Sequence, residues 1–246
     1  MVSKAVMNSL ARMLYPGRFI VIGSDPSGSV DVVVYGLTGR SPSSRSRRLE
    51  RRGGAVWTEP ADPETVKRGN VDLLLYPAVV LGAGIAASNG RQTTDIDLSA
   101  GENPVAVLAA GLERWTYEPD APNHTPRIAG CVLPNGRSAL GVIRRGRGGS
   151  AERAFFECPA VPGRGRLIAT YTGENSDPLP AFRGEPLEVE IATGTPEETA
   201  AAVFAALRPE GRVEDFRVAV ACVFWPREAG LRPQVAIVNR HERTPS

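Results

Sequence analysis

The sequence predicts an α+β protein with two antiparallel sheets and helices covering their outer faces. Three observations carry that reading. Short apolar runs are joined by tight-turn chemistry, not by the helices that an alternating βαβ pattern needs. Two segments carry strong helix signals. No internal repeat and no linker of inter-domain length divides the 246 residues. The expected organisation is a short amphipathic extension over residues 1–14 and one domain over residues 15–246.

Arg18 to Ile22 reads as the first strand and Val30 to Tyr35 as the second. Ser24-Asp25-Pro26-Ser27-Gly28 between them is a turn signal, which makes the pair a hairpin. Residues 40–54, rich in Arg, Ser and Gly, read as exposed loop. The apolar run Val71 to Tyr76 leads into a strand pair, Val79 to Leu81 and Ile85 to Ala87, turned by Gly82-Ala83-Gly84. Residues 102–116 form the clearest early helix. Pro104 stands where a first-turn proline is tolerated, and Val105, Leu108, Leu112 and Trp115 recur at helical spacing.

Ile128 to Leu133 and Ser138 to Ile143 flank Pro134-Asn135-Gly136, another hairpin signal. Residues 144–150 read as a flexible loop. Ala154 to Glu157, Leu167 to Tyr171 and Leu187 to Ile191 are further strands. Thr195-Pro196-Glu197-Glu198 is a capping box: Thr at the N-cap, Pro at the first helical position, Glu three residues on. The helix it opens runs through Ala200 to Leu207, and Val218 to Phe224 and Gln234 to Val238 close the chain as strands.

Composition excludes more than it assigns. Hydrophobic residues at 42% and charged residues at 23% fit an ordinary globular protein. A net charge of +2 is too balanced to argue for nucleic acid. Cys131, Cys158 and Cys222 lie far apart, which argues against a disulfide framework and fits a reducing cytoplasm. No segment approaches the apolar length of a bilayer span, and Met1 to Leu14 lacks the continuous apolar core of a signal peptide. The two histidines, His124 and His241, form no metal-ligand pattern, and no P-loop, dinucleotide fingerprint or serine-hydrolase elbow is present. No metal or cofactor is expected.

Three polar loops, each following a buried-looking element, suggest a pocket for a polar, anionic ligand. The first is Gly39-Arg40-Ser41-Pro42-Ser43-Ser44-Arg45, the second Ser88-Asn89-Gly90-Arg91-Gln92-Thr93-Thr94-Asp95, and the third runs from Tyr117-Glu118 to Thr125-Pro126-Arg127-Ile128. Guanidinium presents a planar fork to oxyanions. Arg40 and Arg45, nearest the strand end, lean toward ligand contact. Arg47, Arg48, Arg51 and Arg52 read as a solvated loop. Ser88-Asn89-Gly90 is either an anion-binding turn or an ordinary polar one. Glu118 is either a surface residue or a carboxylate for acid/base work. Tyr76, at the end of an apolar run, is either packing or a site phenol.

The same segments carry a family resemblance. Tyr15-Pro16-Gly17-Arg18-Phe19-Ile20-Val21-Ile22-Gly23 looks like the opening strand of the archaeal-type IMP cyclohydrolases. Arg40-Ser41-Pro42-Ser43-Ser44-Arg45 resembles that family's Arg-Ser-Phe-Pro-Asn-Arg loop. Ser88 to Asp95 is similar to its Ser-Asn-Gly-x-x-Thr-Asp motif, and Tyr117-Glu118 through Thr125-Pro126-Arg127-Ile128 to its Tyr-Glu and Thr-Pro-Arg-Ile segment. The departures are Pro42-Ser43-Ser44 in place of Phe-Pro-Asn, and a Thr-Asp pair stretched by one residue at Thr93-Thr94-Asp95.

The resemblance implies a four-layer αββα fold of the N-terminal-nucleophile hydrolase type, working without a processed N-terminal nucleophile. It implies closure of a purine ring: 5-formamidoimidazole-4-carboxamide ribonucleotide loses water to give IMP. By similarity Tyr76, Glu118 and Arg45 match the family's active-site Tyr, Glu and Arg. Arg40, Ser88, Asn89, Gly90 and Arg127 are the candidates for gripping the nucleotide. The implied partner is a small ribonucleotide, and a homo-oligomer is expected. Behind this reading stand a same-fold enzyme cyclising another amide substrate and a catalytically silent nucleotide-binding protein. A nucleic-acid module ranks last, because the Arg-rich loop lacks interleaved aromatics for stacking.

Overall fold

The computed structural model of the chain describes residues 9–209 and 214–241. Residues 1–8 of the expected extension lie outside the described residues. Leu10, within that extension, is buried in the main core.

The architecture is α+β, with two antiparallel sheets. In the first sheet the strand order is β11-β10-β1-β2-β12-β13. Its strands are β1 (Arg18–Ser24), β2 (Val30–Thr38), β10 (Arg164–Ala169), β11 (Leu187–Glu190), β12 (Arg217–Pro226) and β13 (Gln234–Asn239). The second sheet runs in plain chain order from β3 to β9. It comprises β3 (Arg47–Arg52), β4 (Ala55–Pro60), β5 (Pro77–Leu81), β6 (Ile85–Ser88), β7 (Arg127–Val132), β8 (Ser138–Arg145) and β9 (Ala151–Cys158). Among the described residues the fold also holds the helices or helical turns α1 (Pro42–Arg45), α2 (Pro63–Val66), α3 (Val71–Leu74), α4 (Pro104–Gly111) and α5 (Pro196–Ala206).

Side-chain alternation shows why both faces of the second sheet are covered. Along β7, Ile128 and Val132 enter the main core between the sheets, whereas Ala129 and Cys131 enter a smaller core beneath α4. Along β8, Leu140 and Val142 face the main core, and Ala139 and Ile143 face α4. That is the period-two split a strand imposes on its side chains. α4 supplies Val107, Leu108 and, at its end, Leu112 to the smaller core. α5 packs on β12 and β13, and its Ala200 and Val203 join the main core. β1, β2 and β12 are therefore buried on both faces and read as unbroken apolar runs.

The hairpins β1–β2, β5–β6 and β7–β8 form where the turn residues place them. The capping box at Thr195 is complete: its hydroxyl accepts from the Glu198 N–H and the Glu198 carboxylate accepts from the Thr195 N–H. Other expectations need correction. Residues 40–54 are not an exposed loop. They hold α1 and β3, turned into β4 at Gly53-Gly54. Arg47 and Leu49 alternate inward along β3 and are both buried, so the arginine-rich composition conceals a period-two strand. Val71 to Leu74 is a helical turn, not part of a strand run, because the Asn70 side chain caps it by accepting from the Asp72 N–H. The early helix ends at Gly111, short of the expected 116, and Trp115 packs beyond its end. The segment 144–150 is mostly ordered structure: β8 runs through Arg145, and a 3-10 turn spans Arg147–Gly149.

One side chain ties the two sheets together. Asn239 Oδ1 accepts from the Leu49 N–H at 2.8 Å, and Asn239 Nδ2 donates to the Leu49 carbonyl at 3.0 Å. A primary amide thus pairs with the β3 backbone as a neighbouring strand would. Asn239→Ala removes both bonds and leaves two backbone groups unmet. It is expected to cost about 1–3 kcal/mol, read as a fall in the denaturant midpoint without a change in slope.

Candidate functional site

One rim of the two sheets collects the functional side chains. β1 and β7 begin there, and β2, β6 and β10 end there. The loops that follow or precede these ends enclose a cleft of about 380 Å³. Arg18, Arg40, Ser44, Arg47, Glu118 and Tyr171 are among the residues that line it.

At its floor Arg18 Nη2 meets Glu118 Oε1 at 2.5 Å, with both side chains nine-tenths or more buried. Gly17 brings the chain to this point. Its φ is +72°, and a Cβ there would fall 2.1 Å from Thr170 Oγ1 and 2.7 Å from the Tyr171 ring. Only glycine fits both conditions. Glu118 is fixed from behind by Asn89, whose Nδ2 donates to the same Oε1 at 3.0 Å and to the Pro126 carbonyl at 2.9 Å. Asn89 Oδ1 in turn accepts from the Ile128 N–H at 2.7 Å and from Gln92 Nε2 at 3.1 Å. Gln92 Oε1 accepts from Arg127 Nη1 at 3.0 Å, and the Arg127 guanidinium lies 4.8 Å over the Trp115 ring. Ser88 closes the 3-10 turn over Arg91–Asp95 through Gly90 and Thr93.

Electrostatics follow from this burial. Loss of solvent raises the Glu118 carboxyl above the usual carboxylate range, against the pull of Arg18 and Arg127. Burial is the strongest influence on Arg18 and opposes its charge, yet Glu118 with Tyr76, Tyr171 and Tyr35 together outweigh it, and the guanidinium stays protonated. Arg18 Nε is buried without a hydrogen-bond partner among the described residues. Such a donor is costly unless something in the cleft accepts from it. Arg18, Arg47 and Arg40 all line the cleft with Tyr15 and act on its phenol electrostatically.

The sequence-predicted residues separate into groups. Glu118 and Arg40 line the cleft. Arg40 Nη1 also donates to the Ser176 carbonyl. Ser88, Asn89, Gly90 and Arg127 lie behind Glu118 and are spent on one another and on its support. Tyr76 is fully buried, and its hydroxyl pairs with that of Tyr35 at 2.9 Å. It acts electrostatically on both Arg18 and Arg127, as Glu118 does. Arg45 is turned from the cleft: its Nη2 meets Glu214 Oε1 at 2.5 Å, and its Nε and Nη2 donate to the Arg40 carbonyl. Arg47 is corrected from solvated loop to fully buried cleft residue, because its Nε and Nη1 donate to the Ser44 and Leu74 carbonyls.

Sequence reasoning missed Arg18, Tyr15 and Tyr171. A charge opening the otherwise apolar Phe19 to Ile22 strand is the signal that points to Arg18, since a buried cation needs an anion. No sequence signal marks Tyr171. The three cysteines are free and buried. Burial pushes the Cys131 and Cys158 thiols up to about 12, so neither is a poised nucleophile. Among the described residues no three His, Cys, Asp or Glu side chains gather as a metal site, and no helix is long and apolar enough to cross a membrane.

Comparison with known proteins gives concordant results. The family described as IMP cyclohydrolase-like protein matches residues 15–222. The chain is 31% identical over 160 residues to the IMP cyclohydrolase of Methanopyrus kandleri, covering 64% of this chain and 75% of that relative. It is 33% identical over 161 residues to the IMP cyclohydrolase of Halobacterium salinarum strain R1, covering 64% of this chain and 73% of the relative.

Removing one member of the floor pair tests its weight. Arg18→Met leaves Glu118 buried without its cation and is expected to cost about 3–5 kcal/mol, read by chemical denaturation. Arg18→Met with Glu118→Gln is expected to recover part of that loss.

Proposed function

The chain belongs to the IMP cyclohydrolase-like family, and from that premise we propose that its cleft closes the purine ring of 5-formamidoimidazole-4-carboxamide ribonucleotide. The carboxamide nitrogen attacks the neighbouring formyl carbon, and water leaves to give IMP. The observation that carries this reading is a buried carboxylate held beside a guanidinium with an unmet N–H, at the floor of a cleft walled by further arginines.

An amide is a weak nucleophile, so the reaction needs three things: near-attack placement, a group to take the nitrogen proton, and charge stabilisation at the formyl oxygen. Glu118 suits the nitrogen. Its Oε1 is committed to Arg18 and Asn89, which leaves Oε2 as the acceptor for the carboxamide. Its raised pKa brings it closer to the acidity of a working base. Arg18 takes the oxygen-stabilising role, since Arg45 points to Glu214. Tyr76, wholly buried with its hydroxyl on Tyr35, serves the oxygen end through its electrostatic influence on Arg18 rather than by touching substrate. Arg40 and Arg47 face the phosphate. Ser88, Asn89, Gly90 and Arg127 keep Glu118 in place.

The layering supports the four-layer αββα reading of N-terminal-nucleophile hydrolase type, with α4 outside one sheet and α5 outside the other. A single domain from residue 15 onward, a homo-oligomeric state and a cytoplasmic location belong to the same reading and rest on the family.

Incubating the purified protein with the formamido ribonucleotide and following the absorbance of IMP tests the assignment; absence of turnover contradicts it. Glu118→Gln should lower kcat by about 10²-fold or more. Tyr76→Phe loses one hydrogen bond of about 1 kcal/mol and should cost less than about tenfold. Equal losses in the two variants would mean that the phenol does touch substrate. The kcat profile should fall on the acid side with an apparent pKa above the ordinary glutamate value of 4.5. Protonation through that raised pKa removes the base, whereas an acid limb below 4.5 would show that a different group takes the proton.

A further inference from the structure

A second polar chain, with two of its three side chains buried, lines the same cleft. The Asp120 carboxylate accepts from the Thr125 N–H at 2.7 Å through Oδ1 and from the Thr125 hydroxyl through Oδ2. The Thr125 hydroxyl also lies 2.5 Å from the Tyr171 hydroxyl. Thr125 and Tyr171 are almost wholly buried, at 1% and 2% exposure. Asp120, Thr125 and Tyr171 all line the cleft with Glu118, and the Glu118 N–H donates to the Thr125 carbonyl at 2.9 Å.

Proton counting fixes the direction of this chain. An ionised carboxylate only accepts, and a threonine hydroxyl has one hydrogen. Thr125 gives that hydrogen to Asp120, so the short contact to Tyr171 requires the phenol to donate to Thr125. Tyr171 has then spent its only hydrogen on Thr125. What it offers a ligand is a lone pair. Glu118 Oε2 offers the same. The short contact preserves the polarity, because reversing the Thr125 hydroxyl would leave two oxygens, Thr125 Oγ1 and Asp120 Oδ2, in close contact with no hydrogen between them.

We propose that the Asp120–Thr125–Tyr171 chain makes Tyr171 a specificity-determining acceptor that, together with Glu118, recognises the two N–H bonds of a neutral primary amide and disfavours the corresponding carboxylate. The assignment rests on the ring-closure reading above and adds what that reading lacks, a reason for the cleft to distinguish amide from acid. A carboxamide NH₂ group carries two donors and meets two acceptors. A carboxylate in its place carries none and faces lone pairs and a negative charge. Sites built around a substrate N–H reject analogues lacking it, because their own buried groups go unpaired.

Binding rather than turnover supplies the test. Calorimetry is run on the full chain with two probes, 5-aminoimidazole-4-carboxamide ribonucleotide and its 4-carboxylate counterpart. The unmodified protein is expected to bind the carboxamide at least about tenfold more tightly, the loss of roughly one buried hydrogen bond or more. Tyr171→Phe and Thr125→Val should each weaken carboxamide binding and bring the ratio of the two affinities close to one. Thr125→Ser, which keeps the hydroxyl, should restore the preference. A merely structural role for Thr125 would move both affinities together and leave their ratio intact. Equal affinity of the unmodified protein for the two probes overturns the inference and leaves the ring-closure reading standing, as does an unchanged preference in both Tyr171→Phe and Thr125→Val. Binding of neither probe overturns both.

Discussion

The structure depends on a buried ion pair at the rim of two sheets. Placing Arg18 and Glu118 away from water costs several kcal/mol per charge, and the fold meets that cost with specific partners rather than with solvent. Glu118 Oε1 receives two donors, one from Arg18 and one from Asn89. Asn89 is held by the chain on either side of β7's start, at Pro126 and Ile128. Each satisfied group fixes the next, so a polar network that would be unfavourable piecemeal becomes a rigid floor. The exception is Arg18 Nε, buried without a partner among the described residues on a side chain that lines the cleft.

That constraint explains the division of labour among the polar loops. The Ser88 to Asp95 segment is folded on itself behind Glu118. Its side chains bond to one another and lead to Arg127, which spans Gln92, the Thr116 carbonyl and the Trp115 face. The arginine-rich stretch contributes the opposite way: Arg47 reaches the cleft from a strand, whereas Arg45 is drawn off by Glu214. The 117–126 loop supplies Glu118 and the Asp120–Thr125 pair to the cleft lining. Two antiparallel sheets make this convergence possible, because strand ends from both meet at a single rim.

Much of this fold was legible from local chemistry. Turn residues located the β1–β2, β5–β6 and β7–β8 hairpins, and Thr195 with Glu198 announced α5, because these signals depend on neighbours in sequence. β3 was not legible: its arginines look solvated until Arg47 is seen to find carbonyl partners at Ser44 and Leu74, far apart along the chain. Helix α4 was overextended because Leu112 and Trp115 continue the apolar period after the backbone has turned. In the candidate site the three loops were visible as polar clusters, and Glu118 stood out as a carboxylate after a helix. Arg18 and Tyr171 were not visible as a pair of neighbours, since their proximity follows from the register of β1 against β10, Phe19 opposite Ala169.

The central claim is that Arg18 and Glu118 form the floor on which the reacting amide rests. A crystal structure with IMP bound tests it most directly. The account predicts the purine ring in the cleft, its ring-closing nitrogen within hydrogen-bond reach of Glu118, Arg18 Nε donating to the ligand, and the phosphate toward Arg40 and Arg47. IMP seated elsewhere on the molecule, or bound in the cleft with Arg18 Nε still unpartnered, would contradict it.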